Sequence, residues 1–328
     1  MYQMMSLPLY SGTLGEYNSW RDLGQELERL GCDGIEGVWG GEDLPKDLPA
    51  ELILGYHLIF YPDWLDFYRD DRAALKQKFG SLEVTASFYG GLGPDTLLEQ
   101  YRADLRRAVN LGARYVVFHV SDVSLEEGYT YRWLHTNQEV ILAAVEVVNL
   151  ILGEERWPFE FLVENQWWPG FTFTEPEETA RLLEGIRFAG KGILLDTGHL
   201  MNACTELKTE AEGADYIRRM LNRHGSLAKW VRGVHLHQSL SGAYVKAHTG
   251  LLPAGLPEDY GERFGVSYQH ILQIDQHRPW TDPAILPVLE QIGPRYLTHE
   301  LSSRGRMSRA EAMAAQARLF QQGGKMGV

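Results

Sequence analysis

The stretch GILLDTGH, residues 192–199, shows the pattern that decides the fold of this chain. A short apolar run ends in the carboxylate of Asp196, and His199 follows three residues later. Short apolar runs of this kind are typical of parallel strands that are covered on both faces. Barrel enzymes carry their functional side chains where such strands end. The pattern recurs along the chain, and this recurrence predicts the architecture.

Eight segments read as strands, because each is short, apolar and rich in β-branched or aromatic residues. They span residues 6–10, 34–38, 53–60, 115–120, 159–164, 192–196, 231–237 and 296–300. Amphipathic segments alternate with them, as in the helix that carries Leu23, Leu27 and Leu30 on one face. Eight strand–helix repeats predict an α/β fold, a (β/α)8 TIM barrel that forms a single domain over residues 1–328.

Several local signals refine this prediction. Thr174 and Glu177 fit a capping box, and Asp282 before Pro283 fits a helix N-cap. The segment 39–52 is short for a crossover helix, whereas 64–110 has room for two helices. Residues 238–281 form a long connection that we expect to be a lid or binding loop.

Composition limits the class of protein. The chain has 328 residues, 44% hydrophobic and 23% charged, with a formal net charge of -13. This predicts an ordinary globular protein, and its charge disfavours nucleic acid as a partner. Two cysteines, together with the lack of a signal peptide or a membrane span, predict a cytoplasmic protein without disulfides. We expect a small-molecule substrate, and the oligomeric state is not predicted.

Histidines and carboxylates recur at the predicted strand ends. Gathering such groups in one buried pocket is costly unless a metal ion binds them. A divalent-metal site is therefore expected at this rim, and Asp275 and His277 could reach it from the long connection. The strand-end residues are His57, His119, Glu164, Asp196, His199, His235, His237 and Glu300.

The chain resembles the xylose-isomerase-like barrel superfamily (AP endonuclease family 2), which includes sugar isomerases, ketose 3-epimerases and the endonuclease IV group. Asp196-Thr197-Gly198-His199 looks like the Asp-x-x-His motif that follows the sixth strand in that superfamily. The resemblance implies a one-metal site made of Glu164, Asp196, His235 and Glu300.

Further similarity to endonuclease IV implies five additional ligands and up to three ions, with zinc or manganese expected. The five are His57, His119, His199, Asp275 and His277. The chain departs from the family at His237-Gln238, where Lys-Asp or Asn-Asp is common, so His237 is expected to be a substrate contact or a substitute ligand.

Two enzymatic functions stay open. A metal-dependent phosphoester hydrolase uses several ions to activate water and to stabilise both reacting oxygens, and the nine-residue set favours it. A sugar or sugar-phosphate isomerase or epimerase needs one ion, with Glu164 and Glu300 as the catalytic proton-transfer groups. A non-enzymatic metal sensor is a third hypothesis.

Candidate substrate contacts are aromatic or cationic residues near the rim. Trp167, Trp168 and Trp280 could stack on a planar group, and Arg278 could bind a phosphate. The segments 55–58 and 61–67 resemble the cobamide-remodelling hydrolases, which makes the nucleotide loop of a corrinoid one candidate phosphodiester.

Overall fold

Eight parallel strands pair in chain order, and the last strand pairs with the first to close a barrel. The computed structural model describes residues 1–322. This architecture confirms the predicted single-domain (β/α)8 barrel. The strands are β1 (Tyr2–Leu9), β2 (Gly34–Trp39), β3 (Ile53–His57), β4 (Tyr115–His119), β5 (Glu160–Glu164), β6 (Lys191–Asp196), β7 (Val231–His235) and β8 (Tyr296–His299).

Helices surround the barrel and also occupy its longer loops. They are α1 (Ser11–Leu14), α2 (Trp20–Leu30), α3 (Leu65–Tyr68), α4 (Arg72–Phe79), α5 (Leu82–Tyr89), α6 (Pro94–Asn110), α7 (Leu125–Thr130), α8 (Asn137–Leu152), α9 (Pro176–Gly185), α10 (Thr197–Asn202), α11 (Glu210–His224), α12 (Gly242–His248), α13 (Tyr260–Ile274), α14 (Leu286–Ile292) and α15 (Arg306–Gln322). Short 3-10 helices lie at Ala50–Leu52, Gly225–Trp230 and Pro283–Ile285. No helix within residues 1–322 is both long enough and apolar enough to cross a bilayer.

The structure corrects several local predictions. Residues 64–110 hold four helices, α3 to α6, rather than two, and the supposed long loop 238–281 holds α12 and α13. The predicted capping box at Thr174 is wrong, because α9 begins at Pro176 and the Thr174 hydroxyl pairs with Thr172 instead. The cap at Asp282 is confirmed, since its carboxylate accepts a hydrogen bond from the Ala284 amide.

The third strand ends earlier than predicted. β3 stops at His57, whereas the sequence pattern extended it to residue 60. The Asp104 carboxylate of α6 accepts a hydrogen bond from the Ile59 amide at 2.6 Å, which satisfies a backbone donor away from the sheet. His57 therefore lies at the carboxyl end of its strand, like the other histidines of the rim.

Two layers fill the barrel beneath the rim. A lower apolar layer consists of Met4, Leu54, Tyr115, Val117, Leu162, Leu194 and Tyr296. Above it, the buried Glu36 carboxylate accepts hydrogen bonds from the hydroxyls of Tyr115 and Thr298. The strand register then brings His119 beside Glu164 and Asp196 beside His235 at the top.

Candidate metal centre

The rim brings together three groups of metal-ligating side chains. In each group, one donor atom per residue lies within 4.8 Å of every other. We call them site A, site B and site C. Site A is His57, His119 and Glu164; site B is Glu164, Asp196, His235 and Glu300; site C is His199, His237, Asp275 and His277.

Site A joins three neighbouring strands. His57 ends β3, His119 ends β4 and Glu164 ends β5. The two histidine Nε2 atoms are 3.0 Å apart, and each lies within 3.4 Å of Glu164 Oε2. Three donors at these separations suit one divalent ion with an open coordination position, as in catalytic zinc sites.

Site B lies deeper, and Glu164 connects it to site A. The other oxygen of this carboxylate, Oε1, is 3.3 Å from His235 Nδ1. His235 Nδ1 is also 2.8 Å from Glu300 Oε2 and 3.6 Å from Asp196 Oδ2. The two oxygens of Glu164 thus face two different donor groups, which is the arrangement a bridging carboxylate requires.

Site C is completed by the segment that follows α13. Asp275 is the C-cap of that helix, and its Oδ2 lies 3.2 Å from His199 Nε2 and 2.6 Å from His277 Nε2. His277 has a φ of 46°, a left-handed conformation that costs energy in a residue with a side chain. The Ser302 amide donates to its carbonyl, which helps to hold this conformation.

Backbone carbonyls fix the orientation of three histidines. Nδ1 of His57 lies 2.8 Å from the Leu58 carbonyl, Nδ1 of His199 lies 3.0 Å from that of Asn165, and Nδ1 of His277 lies 3.1 Å from that of Glu300. A ring that donates from Nδ1 to a carbonyl keeps an unprotonated Nε2. Each of these Nε2 atoms faces the donors of its site, as a metal ligand would.

Unpartnered polar atoms show that a divalent ion fits here. Both oxygens of Glu164, Oδ1 of Asp275, Oε2 of Glu300 and Nδ1 of His235 are buried and make no hydrogen bond, because the close contacts among these groups lack hydrogen-bond geometry. Buried polar atoms are nearly always satisfied in native proteins, so this concentration at one place calls for a bound group. Imidazole and carboxylate donors suit zinc and manganese.

The pKa shifts of the buried carboxylates and histidines also indicate that a metal ion fits this centre. Burial raises the pKa of the Glu164 carboxyl, but His119 and His235 outweigh burial and hold that pKa well below its usual range. Burial lowers the pKa of His277, yet Asp275 outweighs it and raises that pKa to about 9. Without an ion, the proton on His277 offsets the charge of Asp275, and a metal ion would displace that proton from Nε2 on binding.

A cavity of about 940 Å³ opens above the centre. His57 and His119 of site A and His199, Asp275 and His277 of site C line it, together with Glu300. Its walls carry several aromatic side chains, among them Phe60, Tyr61, Phe88, Trp167, Trp168, Phe264 and Tyr268. The only lysine or arginine side chains lining it in the described part of the chain are Arg304 and Arg309, and Arg309 pairs with Glu16.

The structure thus brings all nine sequence-predicted ligands to one rim. His237, expected to be a substrate contact or a substitute ligand, lies beside them, but it is fully buried and does not line the cavity. Of the candidate substrate contacts, Trp167 and Trp168 line the cavity. Trp280 does not, because it is fully buried and its Nε1 donates to the His237 carbonyl at 2.7 Å. The Arg278 side chain is exposed and lies outside the cavity lining.

The sequence analysis missed Glu36. This β2 residue is fully buried, and its Oε1 lies 2.9 Å from His235 Nε2, on the side of the ring opposite site B. A carboxylate behind a ligating histidine typically fixes the ring and raises its basicity. The signal was present in the sequence, since Glu36 interrupts the otherwise apolar strand GIEGVW.

Comparisons with known proteins agree with the fold. Among solved structures, similar ones include L-ribulose 3-epimerase (15% identity, TM-score 0.53, 98% of this chain and 94% of that chain covered) and mannonate dehydratase from Streptococcus suis (12% identity, TM-score 0.52, 100% and 96% covered). The alignment with endonuclease IV from Thermus thermophilus covers 98% of this chain and 100% of that chain, with 16% identity and a TM-score of 0.46.

At these identities the likeness concerns the fold alone. A search of curated proteins finds no match. A protein-family model described as "Xylose isomerase-like TIM barrel" matches residues 25–322, which is most of the chain. The chain therefore belongs to the xylose isomerase-like TIM barrel family.

Proposed function

We propose that this protein is a divalent-metal-dependent phosphoester hydrolase that acts on a small phosphodiester through a cluster of two or three ions. The observation that carries the proposal is the placement of Glu164, whose two oxygens face site A and site B separately. A one-ion enzyme would have no use for such a bridge or for the donors of sites A and C.

The ions would be held at sites A, B and C by the nine predicted ligands. When bound, they would polarise the phosphoryl group and lower the pKa of an attacking water. In the hydrolysis, water adds to phosphorus, the bond from phosphorus to the leaving oxygen breaks, and that oxygen gains a proton.

The protein's own residues position this chemistry. Glu164 holds neighbouring sites at a fixed separation, and Glu300 reaches from the depth of site B to the cavity. Aromatic side chains on the cavity wall would displace water from a bound substrate, which would strengthen the electrostatic interactions at its phosphate.

The cavity favours a small substrate with a large, flat substituent. Trp167 and Trp168 offer stacking surfaces beside site C, whose His199 ring lies 5.2 Å from that of Trp167. The nucleotide loop of a corrinoid is one candidate. A nucleic acid is disfavoured, because the net charge of -13 repels its backbone.

A cytoplasmic location also belongs to this proposal. Cys32 and Cys204 are both free, as expected in a reducing compartment.

The test is turnover of phosphodiesters by the metal-loaded protein. We expect hydrolysis of bis(p-nitrophenyl) phosphate or of a corrinoid with an intact nucleotide loop. Glu164→Gln should reduce kcat/KM more than roughly 100-fold. Replacing a residue that only supports a metal ligand already reduces metal affinity or activity about 10- to 100-fold, and Glu164 is a proposed ligand itself.

Glu160→Gln is the matched control, because Glu160 lies on the same strand at the opposite end of the barrel. Its kcat/KM should equal that of the wild type. Equal loss in both variants, or no phosphodiesterase activity in the loaded wild type, would contradict the proposal.

The alternative is a sugar or sugar-phosphate isomerase or epimerase. Site B alone would hold its ion, and Glu164 and Glu300 would transfer the protons. The 2.8 Å contact of Glu300 with His235 and its place on the cavity wall are compatible with this role. Exchange of a ketose C–H proton with deuterated water, without any phosphodiesterase activity, would favour the alternative.

A further inference from the structure

The ring of His237 is confined between two flat surfaces. On one side lies the backbone of Gly198, where a Cβ atom would come within 2.0 Å of His237 Cε1. On the other side lies the ring of His277, with centroids 4.0 Å apart and an interplanar angle of 4°. The ring is fully buried and has no space in which to turn about its long axis.

The two stacked rings direct their Nε2 atoms at different carboxylates. His237 Nε2 lies 2.8 Å from Asp196 Oδ2, a ligand atom of site B. His277 Nε2 lies 2.6 Å from Asp275 Oδ2, in site C. The two stacked rings therefore contact different sites, His237 at site B and His277 at site C.

Parallel stacking is incompatible with shared ligation of one ion. A metal ion lies in the plane of the imidazole that binds it, at about 2.0–2.1 Å from the nitrogen. Two parallel rings whose centroids are 4.0 Å apart cannot both have the same ion in their planes. One ring would have to tilt, and Gly198 blocks that motion of His237.

We propose that His237 is a positioning residue of site B and not the fourth ligand of site C. Its Nε2–H donates a hydrogen bond to Asp196, while its ring supports that of His277. This inference rests on the proposed multinuclear centre. It leaves site C with three protein donors, His199, Asp275 and His277, and with a coordination position open to the cavity.

The decisive experiment is zinc anomalous diffraction from crystals of the full chain, soaked at saturating and at limiting zinc. In the wild type we expect both nitrogens of His237 to lie more than about 3 Å from any ion, compared with about 2.0–2.1 Å for a ligand. A His237 nitrogen at ligand distance from the site C ion would overturn the proposal.

Two variants provide a readout independent of activity. His237→Phe keeps a flat ring but removes the donor, so the zinc peak at site B should weaken at limiting zinc, with affinity reduced about 10- to 100-fold. His237→Gln can still donate to Asp196, and it should restore that peak. Loss of the site C peak, with site B intact, would overturn the proposal.

These outcomes can be separated from failure of the proposed function. If the variants move the zinc peaks as stated while no phosphodiester is hydrolysed, only the proposed reaction fails. If zinc occupies site B alone and His237→Phe leaves its affinity unchanged, the role of His237 fails as well.

Discussion

At the scale of single residues, side chains outside the proposed ligand set orient the candidate ligands. Glu36 lies behind His235, and it is held in turn by the hydroxyls of Tyr115 and Thr298. Sequence patterns identified most of the candidate ligands because those residues end strands, where polarity is conspicuous. Glu36 was missed because it lies within its strand, and its contact with His235 forms only when the barrel closes.

Replacing Glu36 should therefore affect the metal at site B. We expect Glu36→Gln to reduce zinc affinity there about 10- to 100-fold, since the neutral amide no longer supports the basicity of His235. Competition with a chromophoric chelator measures the change. Glu28→Gln, at an exposed position of α2, is the control, and an equal affinity in the two variants would argue against the role of Glu36.

Gly198 is required by a close approach rather than by its backbone conformation. A Cβ atom there would collide with the His237 ring, so Gly198→Ala should destabilise the fold by about 1–3 kcal/mol. Gly24→Ala is the control, because nothing lies within 4 Å of its Cβ position and it should gain about 0.5–1 kcal/mol in α2. Urea unfolding compares both, and tolerance of the Gly198 variant would contradict the packing described above.

At the scale of elements, a buried ion cluster holds the chain that follows β3. Lys78 of α4 lies 2.6 Å from an Asp63 oxygen and 2.7 Å from an Asp66 oxygen, and His135 approaches Asp66 from the next loop at 3.2 Å. Residues 61–67 therefore stabilise the fold, because Asp63 and Asp66 bind Lys78 and hold α4 against α3 beside the cavity wall.

Removing the cation of this cluster should be costly. Lys78→Met leaves buried carboxylates uncompensated and should lower the free energy of unfolding by about 3–5 kcal/mol. Lys76→Met, at an exposed position of the same helix, should change it little. Similar losses in the two variants would show that the cluster contributes nothing specific.

The same cluster gives the stability a pH dependence. Burial raises the pKa of Asp66, but His135 and Lys78 outweigh burial and lower it from 3.8 to about 2. Because the folded value is the lower one, this carboxylate stabilises the protein above its unfolded pKa, and that contribution is lost as the pH falls towards 2. Burial raises the pKa of the neighbouring Asp63 to about 7, so protonation of that carboxyl acts in the opposite direction and the test has to isolate Asp66. The fall in the free energy of unfolding from pH 5 to pH 3 should be smaller in Asp66→Asn than in the wild type, and an equal fall would contradict this role of Asp66.

The missed helices have one cause in common. The four helices between β3 and β4, and the two after β7, pack through aromatic contacts such as Phe79 with Tyr260. Contacts between residues so far apart in sequence leave no local periodicity. The capping box predicted at Thr174 is wrong for a different reason. Proline is favoured at the first position of a helix, and α9 begins at Pro176.

At the scale of the whole molecule, sequence alone was sufficient for the barrel, and it placed the candidate ligands at one end of it. Alternating strands and helices specify the closed sheet, and parallel strands bring their carboxyl ends together whatever the details of the loops. The position of Glu164 between sites A and B required the structure. Adjacency in sequence brought Trp280 and Arg278 near the rim, but it did not show that both side chains lie outside the cavity.

The central claim is a multinuclear centre bridged by Glu164. It is tested most directly by counting the metal ions bound to protein purified without chelators, using elemental analysis together with native mass spectrometry. The account predicts two or three ions per chain in the wild type and a lower count in Glu164→Gln. A single ion per wild-type chain, retained unchanged in that variant, would contradict it.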